Sequence, residues 1–143
     1  MREVKRSALV AQPPSRMFAL INDIESYPAF VPGCTGARVE SRTPREIVAT
    51  LAVKKGPLRA ELTTRNALEP DRKITMSLVQ GPFRQLEGEW TLTPVGAEGC
   101  RVELWMRFAF SNPMSAVVFE PLFEQTAASL VDAFVTRARS LEK

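Results

Sequence analysis

The thiols of Cys34 and Cys100 and the carboxylates of Glu61, Glu87, Glu89 and Glu103 are the side chains best equipped for proton transfer or nucleophilic attack. There is no histidine. That removes the commonest general base, the commonest metal ligand and every Ser-His or Cys-His pair. The two cysteines are far apart and form no CxxC motif, so a zinc or thioredoxin-like site is not expected. Cys34 stands between Gly33 and Thr35 with nothing to activate it. It reads as a small buried thiol rather than a nucleophile. The four glutamates fall on the outward face of their strands by simple alternation, whereas a catalytic carboxylate belongs in a cleft that perturbs its pKa. The expectation is a protein without catalytic residues, metal site or catalytic cofactor.

The elements that would position these groups follow from periodicity. Residues 2–10 alternate as a strand. Gln12-Pro13-Pro14 breaks it, and Met17, Leu20, Ile21 and Ile24 then recur at helical spacing. This helix is predicted to stop near Ser26 or Tyr27, because Pro28 disfavours helix in the residue before it. The loop YPAFVPGCTG follows, from Tyr27 to Gly36, proline-stiffened and apolar. From about 36 to 110 the period is two, giving strands near 36–42, 46–54, 58–68, 72–79, 83–94 and 101–110. Their short turns imply antiparallel neighbours. The segment 113–141 returns to helical period, with Asn112 as N-cap, Pro113 at the first helical position and a kink or a break expected near Glu120 before Pro121.

The bulk numbers suit one globular domain over residues 1–143, 45% hydrophobic and 24% charged. The net charge is +3, which permits an acidic partner without demanding one, and no block of like charges marks a nucleic-acid arm. No apolar run reaches the roughly 18 residues needed to span a bilayer, and the basic N-terminus is followed by no signal-peptide core. The expected location is cytoplasmic, with a peripheral position at the inner membrane left open.

The order strand, short helix, six strands, long helix predicts an α+β fold. A curved seven-stranded antiparallel sheet would wrap around the C-terminal helix. One helix has trouble filling so wide a concave sheet, so a cavity is expected between the two. Leu62, Met76, Leu86, Trp90, Met106 and Phe108 would face it from the sheet. Phe119, Phe123, Leu130 and Phe134 would face it from the helix, and Tyr27, Phe30 and Val31 would cap it or form its mouth. Arg6, Thr64 and Asn66 also fall on the inward face. Buried polar groups cost free energy unless satisfied. Either these three escape to solvent at a bulge or strand end, or they line the cavity and meet a polar head group.

The stretches IND-IESYPAFVPGCTGARV at 21–39, TTRN at 63–66, LVQGPFRQLEGEWTLTP at 78–94, CRVELWMRFAFSN at 100–112 and FEQTAASLVDAFVTRA at 123–138 resemble one family over nearly the whole chain. It is the coenzyme Q-binding/RatA group of the START-like (polyketide cyclase/dehydrase) superfamily, whose fold is the helix grip. The resemblance implies two functions. One is binding ubiquinone, as ligand and not as catalytic cofactor, in support of respiratory electron transfer. The other is binding the large ribosomal subunit and blocking subunit association. The partners to expect are therefore a lipophilic small molecule, the large ribosomal subunit and, transiently, a membrane surface. The oligomeric state is left open.

Overall fold

The computed structural model describes residues 1–141. Seven strands form one antiparallel sheet: β1 (Arg2–Val10), β2 (Cys34–Thr43), β3 (Glu46–Lys55), β4 (Leu58–Glu69), β5 (Lys73–Gln80), β6 (Phe83–Val95) and β7 (Gly99–Phe110). Their order across the sheet is β1-β7-β6-β5-β4-β3-β2. After β1 the chain turns through α1 (Pro14–Asn22) and a 3-10 segment (Ile24–Ala29); the C-terminal helical run is α2 (Pro113–Ala128) followed by α3 (Leu130–Ser140). The curved sheet wraps this run, which is the helix-grip arrangement. Alternation decides the faces. In β7, Val102, Leu104, Met106 and Phe108 are buried, while Arg101 and Glu103 are exposed.

Two local readings are corrected. The first helix ends at Asn22, where Asp23 leaves helical geometry with ψ 65° and donates its N–H to Leu20 O at 3.2 Å. Pro28 then lies inside the 3-10 segment, whose φ range matches that of the pyrrolidine ring. The C-terminal run does not break before Pro121. Pro121 sits inside α2, and Val117, whose carbonyl loses its usual donor, is exposed, so no packing is lost. The interruption comes at Ser129. Its hydroxyl donates to Thr126 O at 2.8 Å, and its N–H is shared between Gln125 O and Thr126 O at 3.1 and 3.3 Å. A serine hydroxyl bonded back to a carbonyl competes with the helical ladder. The start of α2 is as read: Asn112 Oδ1 accepts from Met114 N at 2.9 Å, with Pro113 next to it.

The core divides in two. One cluster gathers α1, the 3-10 segment and α3 over the sheet, centred on Met17, Ile21, Trp90, Leu104 and Phe134. The other joins α2 to the opposite end of the sheet through Leu58, Phe83, Phe108, Phe110 and Phe123. Leu51 and Met76 pack against both.

Candidate functional site

A cavity of about 90 Å³ lies at the seam between the two clusters. The sheet contributes Leu51, Leu62, Thr64, Asn66, Met76, Leu86, Trp90 and Met106 to its wall; the helices contribute Phe123, Thr126, Ala127, Leu130 and Phe134. Ile21, Asn22, Ile24, Tyr27, Val31 and Cys34 close the end reached by the apolar loop. Its wall carries no Asp, Glu, Lys or Arg among the described residues.

Strand alternation is what brings Thr64 and Asn66 inside. Both point to the same face of β4 as the buried Leu62. Asn66 is 8% exposed. Its Oδ1 accepts from Thr64 Oγ1 at 2.9 Å, and its NH₂ has no acceptor among the described residues. The amide nitrogen keeps accessible surface at the cavity wall, beside the polar side chains of Thr64 and Thr126. Thr126 satisfies its hydroxyl within α2, donating to Leu122 O at 3.2 Å.

Four of the expected wall residues lie elsewhere. Arg6 is on β1, an edge strand, and its guanidinium swings out to the Lys5 carbonyl. Its long side chain reaches water around an edge that an inner strand lacks. Phe108 is fully buried and packed by Phe83 and Phe123, with centroids at 6.3 and 4.8 Å. It fills core beside the cavity instead of bordering it. Phe119 packs on Phe110 at 6.1 Å, one helical turn before the cavity begins. Phe30 sits behind the wall. Its ring meets Tyr27 at 6.0 Å and Phe134 at 5.3 Å edge-on, and the Arg137 guanidinium lies 5.1 Å above it. Arg137 Nε is buried without a hydrogen-bond partner, so the ring face is what compensates this cation. Periodicity assigns these side chains a face but not the neighbours that shield them. Some wall residues missed by that reading, such as Ala49 and Thr126, are small or polar and give little apolar signal; others, Ile21, Ile24, Leu51, Val53 and Ile74, are large and apolar but look like ordinary core by periodicity.

The thiol and phenol on the wall are inert in character. Burial pushes the Cys34 thiol up, only partly offset by its hydrogen bond to Gly36 O at 3.4 Å. Burial also raises the Tyr27 phenol far above its ordinary value, with smaller contributions from Cys34 and Asp23; its hydroxyl donates to Ile21 O. The folded protein therefore holds this proton to higher pH than the unfolded chain does. The resulting stability is complete below about pH 10 and falls above it by about 1.4 kcal/mol per pH unit. Tyr27→Phe should remove that alkaline slope in urea titrations. Tyr27 is the sole tyrosine, so phenolate absorbance should appear only on unfolding.

The glutamates considered above lie outside the cavity. Arg107 Nε donates to Glu87 Oε1 at 3.0 Å, Lys73 meets Glu89 at 3.1 Å and Arg38 approaches Glu61 at 3.8 Å. Glu103 is exposed.

The family model described as polyketide cyclase/dehydrase and lipid transport matches residues 10–135. The chain belongs to this family. As a member of the polyketide cyclase/dehydrase and lipid transport family it shares its fold with a START superfamily protein from Mycobacterium smegmatis. The TM-score is 0.82 at 20% identity, over 97% of this chain and 98% of that one. Among curated relatives, the ribosome association toxin RatA of Escherichia coli K12 is 40% identical over 141 residues, covering 99% of this chain and 89% of RatA. The mitochondrial coenzyme Q-binding protein coq10 of Schizosaccharomyces pombe is 22% identical over 144 residues, covering 97% and 88%. No helix among the described residues is long and apolar enough to cross a membrane.

Proposed function

We propose that the chain binds a lipophilic small molecule of the prenyl-quinone type, ubiquinone or a close analogue, and carries it without catalysing its conversion. The observation that carries this reading is the Asn66 amide, which has no protein acceptor among the described residues and stands on a mostly apolar wall where a ligand could supply one. A quinone carbonyl is the acceptor it lacks. The tail needs only hydrocarbon, and each five-carbon unit buried contributes on the order of 3 kcal/mol at about 0.8 per CH₂. The cavity of about 90 Å³ is smaller than the roughly 150 Å³ that holds one benzene. Binding must therefore widen the seam. Met76 and Met106 on the wall supply unbranched, adaptable side chains for that change. The carrier reading, as opposed to an enzyme, is supported by a wall without acid or base to move a proton.

The decisive measurement is mass spectrometry of organic extract from protein purified without detergent. Quinone should exceed that of a fold-matched control, and Asn66→Leu should lower it at least fivefold while leaving stability equal or higher. Extract no richer than the control would overturn the reading. Phe30→Ala should cost about 2 kcal/mol in urea unfolding, since the ring is half-buried. Because Phe30 stands behind the wall, that cost should be the same with and without added quinone.

A second reading, association with the large ribosomal subunit, is favoured by the 40% identity to RatA over almost the whole chain. It concerns the outer surface and is compatible with a filled cavity. Added protein should then raise the proportion of separated subunits on a sucrose gradient; an unchanged profile counts against it.

A further inference from the structure

Gly88 is buried in the middle of β6, between Leu86 and Trp90 on the same face. Its φ is not positive, so nothing in the backbone calls for glycine. A glycine inside a strand weakens it and often marks a close approach to bare backbone. Here the approach comes from Met76. Gly88 pairs with Met76 on β5 and with Met106 on β7. A Cβ at position 88 would stand 2.7 Å from Met76 Cε, 3.1 Å from Trp105 O and 3.7 Å from Met106 Cα. The Met76 methyl thus occupies the volume that a side chain at 88 would fill.

This contact belongs to the cavity wall. Met76, Leu86, Trp90 and Met106 surround Gly88, and all four border the cavity. Met76 is also the register partner of Asn66 on β4. Strands are about 4.8 Å apart, so Asn66 and Gly88 stand about 10 Å apart with Met76 between them. A head group that accepts from the Asn66 amide therefore lies beside the Met76 side chain. Of the atoms around the missing Cβ, two belong to the backbone and cannot yield. The third ends an unbranched, flexible chain. With a methyl at 88, the Met76 methyl is what would move, and the cavity it borders is the space that would take it.

We infer that Gly88 is a positioning residue for the ligand: it is the berth that keeps the Met76 side chain clear of the head group beside Asn66. The thioether lies back on the bare backbone of β6 and leaves the cavity open. With a side chain at 88 it would fill the space beside Asn66 itself. Residue 88 then sets the size of head group admitted, acting through Met76. The inference rests on the carrier reading above.

The test is titration with decylubiquinone in a Trp105→Phe background. Trp90, on the cavity wall, is then the one tryptophan left, and its quenching reports occupancy. Gly88→Ala should weaken binding about tenfold or more, the scale of one misplaced methylene in an apolar pocket. In a Met76→Ala background the same substitution should change binding by no more than about twofold, because the group through which the two positions couple is gone. The stiffer chain of Gly88→Ala offsets its crowding, so its thermal midpoint should stay within a few degrees of the parent. A further readout needs no substitution. With methyl-labelled methionine, the nuclear Overhauser contact between the Met76 methyl and the Gly88 α protons should persist when decylubiquinone is bound. Gly88→Ala binding like its parent would overturn the inference. So would an equal loss in both backgrounds, or disappearance of the methyl contact on binding. Each of these leaves the carrier reading standing. Absence of quenching before any change at Gly88 or Met76 would instead overturn the carrier reading, and this inference with it.

Discussion

Replacing Phe134 with Ala is expected to destabilise the fold by about 3–5 kcal/mol. The side chain is fully buried and meets Tyr27, Phe30 and Trp90 edge-on at 5.2, 5.3 and 5.3 Å. Edge-to-face pairs each add to simple burial. The site also cannot collapse to heal the loss, because Phe134 already borders the cavity of about 90 Å³. Deletion would merge the two spaces, and cost rises with residual cavity volume. Thermal unfolding should show a fall of about 10 °C or more for a chain of this size. Phe134→Leu, which keeps most of the volume, should lose less than half as much. A fall of only a few degrees for the alanine variant would mean that the two clusters support each other less than their packing implies.

Ala127→Leu should have the largest effect on the proposed carrier function. Ala127 is 2% exposed on α2 and borders the cavity. Its added carbons have nowhere to go but into the seam. Occupying existing space limits the strain that over-packing normally brings, about 1–3 kcal/mol. Stability should therefore change little, while extracted quinone should fall more than tenfold. Retention at the wild-type level would place the ligand outside this cavity. Set beside Asn66→Leu, the variant separates the two contributions: Ala127→Leu excludes every lipophile, whereas Asn66→Leu discriminates only against those with a carbonyl to offer.

Much of this arrangement is legible in the residues themselves. The strands show because period two persists through Val102, Leu104, Met106 and Phe108, and a slip of one residue would turn each of them outward. Asn112-Pro113 marks a helix start because both its requirements are local. Alternation alone places Thr64 and Asn66 inward. The same rule fails for Arg6, because an edge strand gives a long side chain a way out. It also fails to separate Phe108 from Met106. The two share a face of β7, and only the phenylalanines around Phe108 decide which of them borders the cavity. The break at Ser129 carries no such signal, and Pro121 draws the expectation to itself. A proline is conspicuous in sequence, whereas a serine interrupts a helix only if its hydroxyl turns back to a carbonyl.

The interruption at Ser129 falls where the core itself divides, with α3 in one cluster and α2 in the other. A continuous helix would tie both into a single cooperative block. Here the C-terminal run can open in halves, each with its own free energy. In native-state amide exchange, α3 should lose protection together with α1 and Tyr27, while α2 keeps the protection of Phe83 and Phe110 at the far end of the sheet. The weaker of the two units sets how often the seam parts, and so, on the proposed carrier reading, the rate at which a long hydrocarbon chain would enter or leave.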